Sequence, residues 1–210
     1  MPNSSRQEIL QRIAAAGKRR LTFVETPPSS TSIYKPVLPD AATCFKTELE
    51  AISGQCILCE NESDAYSKLK SFVQLHALTY LFCCDPFISA QLQKAEIPFS
   101  KETNQFIDMQ AGITGCEFLI ARTGSVLVSS ASPSGRQLNV FPPIHIVLAH
   151  VSQLVHYPTD ALVAIQDKYG DLLPSCISTI SGPSRTADIE KTLVLGAHGP
   201  KEFVVFLCKE

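Results

Sequence analysis

The sequence predicts an α/β fold, a mostly parallel sheet flanked by helices with an antiparallel hairpin inserted in its middle. Three observations carry this reading. Short apolar runs at 55–60, 78–84, 144–150 and 202–208 do not alternate with polar residues, the pattern of strands covered on both faces. Amphipathic segments with helix-start signals separate several of these runs. Residues 117–122 and 125–130 form two further apolar runs joined by Thr123-Gly124, which reads as a hairpin turn.

In chain order, 4–16 is an amphipathic helix with Ile9, Leu10 and Ile13 on one face, stopped by Gly17. Residues 22–40 are rich in Pro, Ser and Thr and read as an arm, so the expected division is 1–40 for helix and arm and 41–210 for the α/β domain. A helix at 41–52 leads to the strand at 55–60. A helix opened by Ser63 and Asp64 runs to about Leu75 and leads to the strand at 78–84. Pro86 starts a helix ending near Lys94. After the hairpin, a polar loop at 131–136 precedes the strand at 144–150. A helix at 159–170, a strand at 176–181, a helix at 185–195 and a terminal strand at 202–208 complete the series.

With 210 residues, 45% hydrophobic and 18% charged, the chain suits one folded core. A net charge of −2 gives no broad attraction to nucleic acid or anionic membranes, and Lys18-Arg19-Arg20 reads as a solvated helix end. No apolar run reaches the ~20 residues of a membrane span. Eight cysteines behind an N-terminus without a signal-peptide pattern indicate free thiols in a reducing cytosol, hence a cytoplasmic location. Cys56 and Cys59 sit three apart in a strand and Cys83 and Cys84 are adjacent, so neither pair grips one ion easily. No intrinsic metal and no cofactor are expected.

Chemistry is expected where loops leave the carboxyl ends of parallel strands, with 112–124, 131–145 and 181–188 converging there. The run from Ser178 to Glu190 reads as a strand that stops at Ser181-Gly182-Pro183-Ser184 and opens a helix. Free amides at a helix start and the guanidinium of Arg185 favour a small anion. The candidate anion set is Gly182, Ser184, Arg185, Thr186, Asp188, Arg136, Thr123, His145 and Glu117.

Each residue also has a plainer reading. Ser184 or Thr186 can simply cap the helix with Asp188 in its first turn, Arg185 can pair with a surface carboxylate, and Arg136 can be solvated. His145 alternates with Ile144 and Ile146 as a core histidine would. His198 fits a turn, and Glu117 serves as an acid or base only if a pocket raises its pKa. There is no Gly-x-Gly-x-x-Gly, Walker-type loop, Gly-x-Ser-x-Gly elbow or His-Glu-x-x-His.

Together, Ala111-Gly112-Ile113-Thr114-Gly115, Thr123-Gly124, Pro142-Pro143-Ile144-His145-Ile146, Ile180-Ser181-Gly182-Pro183-Ser184-Arg185-Thr186-Ala187-Asp188-Ile189-Glu190 and Leu195-Gly196-Ala197-His198-Gly199-Pro200 resemble the lactate-utilisation protein C family, the LUD-domain proteins. The resemblance is strongest over 105–208. It implies a fold like that of the glucosamine-6-phosphate deaminase, ribose-5-phosphate isomerase and CoA-transferase group. It also implies a cytosolic subunit of a system oxidising lactate to pyruvate, with two iron–sulfur partner subunits carrying the electrons. The chain itself would bind a small anion or a partner. The alternative is a stand-alone isomerase, CoA-transferase or folate cyclo-ligase-like enzyme on the same fold. Arg122 departs from the pattern, since the family commonly carries an acidic residue there, and the local charge is reversed.

Overall fold

The computed structural model describes residues 5–16, 34–101, 107–187, 193–196 and 198–209. The chain divides into two units, 1–35 and 36–210. In the first, α1 spans Ser5–Ala16, and an ion pair between Glu8 and Arg12, one helical turn apart at 2.7 Å, lies along it. The arm over 22–33 and the basic cluster at 18–20 lie outside the described residues. No helix among the described residues is long and apolar enough to cross a membrane.

In the second unit, α2 (Ala41–Ala51) is capped by Asp40, whose carboxylate accepts from the Thr43 amide at 3.0 Å. It leads into β1 (Gln55–Cys59). Next, α3 (Glu62–Leu75) is capped by Asn61, two residues before the Ser63 expected to open it. Only Leu81–Phe82 of the expected 78–84 strand pairs as β2. The Thr79 and Tyr80 amides go instead to the Gln110 side chain, and the Cys83 amide to Ser100. Asp85 caps α4 (Pro86–Lys94), with Pro86 in its first turn.

A strand not anticipated as such, β3 (Ala111–Thr114), follows. Four residues with a central glycine carry little strand signal. Gly112 is required by close approach, since a Cβ there would lie 2.9 Å from Pro142 Cγ and 3.2 Å from the Leu138 carbonyl oxygen. Next come β4 (Phe118–Ile120), β5 (Ser125–Ser129), β6 (Ile144–His150), β7 (Leu154–Val155), α5 (Pro158–Tyr169) and β8 (Ile177–Ile180). The chain closes with β9 (Arg185–Ala187), β10 (Leu193–Leu195) and β11 (Glu202–Cys208).

The main sheet has the order β1-β11-β6-β3-β2 and every pairing in it is parallel. The last strand thus lies inside the sheet, flanked by β1 and β6. Its residues are buried on both faces, as its unbroken apolar run requires. Val204, Phe206 and Cys208 join the core under α3 and α4, while Phe203, Val205 and Leu207 join the core under α2. Cys56 and Cys59 fall into these two different cores, and Cys59 lies opposite Cys208.

The expected hairpin is the centre of a second sheet of order β7-β4-β5-β8. In it β4 and β5 are antiparallel, joined by a one-turn 3₁₀ segment (Ala121–Thr123) and Gly124 in place of a two-residue turn. The strand expected at 176–181 therefore extends the hairpin and not the parallel sheet. This sheet lies between two layers. Val126 and Val128 face the α2 core, while Leu127 and Ile120 pack with Ala161 and Ile165 of α5.

The helix expected over 185–195 does not form. Arg185–Ala187 pairs antiparallel with Leu193–Leu195, placing Arg185 opposite Leu195. Both backbone groups of Ser184 are already bonded, its amide to the Pro200 carbonyl at 2.8 Å and its carbonyl to the Gly196 amide at 2.9 Å. A residue held in this way has no helix to cap, and the β-branched Thr and Val of the segment suit a ladder better than a helix.

Candidate functional site

The loops carrying the sequence motifs do not all meet at the carboxyl ends of the parallel strands, where Gly115 and Cys116 lie. Residues 142–143, 182–184, 196 and 198–201 gather at the amino ends of β6 and β11. The Pro143 carbonyl accepts from the amides of both Lys201 and Glu202, at 2.7 and 3.2 Å, tying two of these segments together. Ser184 joins the third through its bonds to Gly196 and Pro200. Gly199 is needed here, because a Cβ would come within 3.0 Å of Ser184 Cβ and 3.2 Å of its hydroxyl.

The result is a groove of about 450 Å³ lined by Val140, Phe141, Pro143, His198, Lys201 and the two glycines Gly196 and Gly199. Val140 and Phe141 are 54% and 65% exposed, a large apolar face to leave in water. His198 and Lys201 supply the polar rim.

The carboxyl ends hold a larger cavity of about 610 Å³, bordered by Asp85, Gly115, Cys116, His150 and Gln153. Two of its polar residues are tied up by the fold. Asp85 caps α4 through the Phe87 and Ile88 amides at 2.9 and 3.2 Å. Gln153 accepts from the His150 amide at 2.8 Å and donates to the Cys116 carbonyl at 2.7 Å.

Of the residues singled out from the sequence, Ser184 lies against Gly199, one of the residues lining the groove. Gly182 has φ +73°, and a Cβ on it would meet the Ile52 carbonyl oxygen at 2.7 Å, so it docks the loop onto the end of α2. Arg185 turns the same way. Its guanidinium donates to the Ile52 carbonyl and to Ser53 Oγ, the latter at 3.2 Å, and a cation suits the carbonyl-rich end of a helix. Thr186 lies in β9 opposite Val194, and Asp188 lies outside the described residues. Thr123 is exposed in the 3₁₀ turn beside α2. Its neighbour Arg122 pairs with Glu48 of α2. Arg136 lines a different cavity with Lys101.

His145 is fully buried in β6. Its Nε2 shares a hydrogen bond of 2.8 Å with Thr114 Oγ1, and its ring lies 5.2 Å from that of Phe203. Burial pushes its pKa down to about 3, so it is a neutral core residue at physiological pH.

Glu117 is also buried, 5% exposed at its side chain. It accepts from Ser129 Oγ at 2.6 Å, Lys168 Nζ at 2.7 Å and Tyr169 Oη at 2.8 Å. Burial alone would raise its pKa. Lys168 and the two hydroxyls outweigh that and hold the carboxyl below its ordinary value. It is thus an ionised brace between β4, β5 and the end of α5, unsuited to donating a proton.

A test follows from its sign. A depressed folded-state value gives stability that is full above the ordinary carboxyl value of 4.5 and is lost as pH falls through the lower folded value. Glu117→Gln should therefore cost about 2 kcal/mol at pH 7 in urea denaturation, less than a fully buried pair because Lys168 is half exposed. The gap to the unmodified protein should shrink in acid.

His198, Lys201, Val140 and Phe141 were not among the candidates, although the Gly196-to-Pro200 turn held the signal. Two glycines and a proline around one histidine mark a loop shaped for contact. Among the described residues, no group of three or more His, Cys, Asp or Glu side chains is placed to hold a metal ion.

Comparison with known proteins bears on the family. The family described as LUD domain matches residues 42–208. The lactate utilization protein C of Bacillus licheniformis is 40% identical over 91 residues, covering 42% of this chain and 38% of that protein. Its counterpart from Shouchella clausii is 42% identical over 90 residues, covering 42% and 39%. The matched segments thus span less than half the length of these relatives. The crystal structure of a DUF162 family protein from Deinococcus radiodurans superimposes with a TM-score of 0.60 at 15% identity, covering 80% of this chain and 96% of that one. At that identity the likeness concerns the fold.

Proposed function

The chain belongs to the LUD domain family, and from that premise we propose that it is a subunit of a lactate-utilisation system that oxidises lactate to pyruvate. In this reading it docks an iron–sulfur partner through the groove at the amino ends of β6 and β11. The electrons travel through the partner, and the chain carries no redox group of its own. One observation carries the proposal. Residues 140–143, 196 and 198–201, distant in sequence, line one groove with an exposed apolar face and a polar edge, and Ser184 ties Gly196 and Pro200 together beside it. Interface cores favour such aromatic and aliphatic surface, with charge confined to the edge. The names of the two relatives, lactate utilization protein C, support a role in lactate utilisation.

The alternative of a stand-alone enzyme on this fold finds less support. Glu117 is locked as an anion, and His145 is sealed in the core away from solvent. The proposal is tested by growth on L-lactate of a host whose own copy is deleted. The unmodified chain and Glu117→Gln should both restore growth, while Phe141→Asp should not. Restoration by Phe141→Asp at normal protein levels would count against the groove.

A further inference from the structure

A cavity of about 270 Å³ lies apart from the groove, between the end of β2 and the loop that follows β5. Its lining includes Phe82, Cys84, Lys101, Ser134, Arg136 and Leu138. Two features mark it. The first is charge, since two cations face one small space. Lys101 Nζ rests 5.7 Å from the Phe99 ring centroid, and Arg136 has no carboxylate partner among the described residues. The second is a polar group left unpaired. Ser134 is 5% exposed, and its hydroxyl has no hydrogen-bond partner among the described residues. A buried hydroxyl without a partner is costly, and such groups are normally satisfied.

We propose that this cavity is a binding site for a small carboxylate, held by the Arg136 guanidinium and the Lys101 ammonium, with the Ser134 hydroxyl meeting a second oxygen of the ligand. The planar guanidinium fork matches a carboxylate in two parallel hydrogen bonds. The opposite wall decides against inorganic phosphate. Phe82 and Leu138, which pack together in one small apolar cluster, line the cavity and give it an apolar side that suits a short hydrocarbon tail. A phosphate would have to turn a charged oxygen toward that wall. Neither cation belongs to the partner groove, and the site stands without the docking reading. Only the choice of pyruvate as one probe rests on the lactate assignment.

The test is calorimetric titration of the full chain with sodium acetate, sodium pyruvate and inorganic phosphate. Acetate and pyruvate should each bind once per chain and phosphate at least about tenfold more weakly. Arg136→Ala should weaken carboxylate binding by about tenfold or more, and the change falls on an exposed residue, so the fold stays intact. Ser134→Ala gives a second, independent reading. It removes an unpaired buried hydroxyl, so the unliganded protein should melt no lower than the parent while its pyruvate affinity falls. No saturable binding of either carboxylate, binding unaffected by Arg136→Ala, or phosphate bound as tightly as pyruvate would each overturn the proposal. Growth on lactate and this titration are separate measurements, so the two proposals can fail separately.

Discussion

Between pH 6.5 and 4, the stability of this protein should fall by about 1.4 kcal/mol for each pH unit on account of His145 alone. The imidazole is sealed between the two sheets, and its folded-state pKa is pushed down to about 3 from an ordinary 6.5. The unfolded chain therefore takes up a proton in this range that the folded chain refuses. Stability is full above pH 6.5 and is lost as pH falls toward the folded value. His145→Gln should abolish this slope. Its side-chain amide can still reach Thr114 but carries no charge at any pH. Urea denaturation of both proteins at half-unit intervals measures the difference. Parallel curves would mean that His145 does not titrate on unfolding, and the buried assignment would be wrong. Glu117 acts in the same direction but at lower pH, so the two contributions separate along the axis.

The second large effect concerns Gly124. Its φ is +57°, and a Cβ there would lie 2.2 Å from the Leu49 amide nitrogen, 2.5 Å from the Glu48 carbonyl carbon and 2.6 Å from Leu49 Cα. These are backbone atoms of α2, which cannot yield as the tip of a side chain would. Moving them disturbs Cys44, Phe45 and Leu49, the residues α2 contributes to the core over the main sheet. Gly124→Ala should cost about 3 kcal/mol or more. Gly135 is the control. It has φ +68° but open space where a Cβ would go, so Gly135→Ala should cost only the backbone strain, about 1 kcal/mol. Equal losses for the two variants would show that α2 does not press on the hairpin loop as described.

How much of this was legible in the sequence differs from element to element. The helices α2 to α5 carry local signals, a polar cap or a proline in the first turn, and the strands β6 and β11 are long unbroken apolar runs. Local chemistry is enough to find such elements. By contrast, β3 is four residues long and pairs only because β2 and β6 are brought to either side of it. The 185–195 segment shows the opposite failure. Ser-Gly-Pro-Ser is an acceptable helix opening in isolation, but tertiary bonds to Pro200 and Gly196 take the Ser184 backbone first.

The candidate site followed the same logic. Of the stretches expected to converge, 131–145 and 181–188 both reach the amino ends of β6 and β11, since Pro143 bonds Lys201 and Ser184 bonds Pro200, and turn residues announce such loops in one dimension. Their location at the amino ends of the strands was not visible, because it depends on β11 entering the sheet beside β6. Arg185 illustrates the cost to a residue-level reading. Its chemistry suits an anion, yet the helix end it meets offers carbonyl oxygens. The Cys59–Cys208 juxtaposition is likewise a matter of register between strands far apart in the chain.

The most direct measurement of the proposed docking is sedimentation velocity of the purified chain mixed with the purified iron–sulfur subunits proposed as its partners. The account predicts a complex with the unmodified chain and its loss with Phe141→Asp, the variant remaining folded by circular dichroism. Association of the two forms with equal affinity, or no association of the unmodified chain, would contradict it.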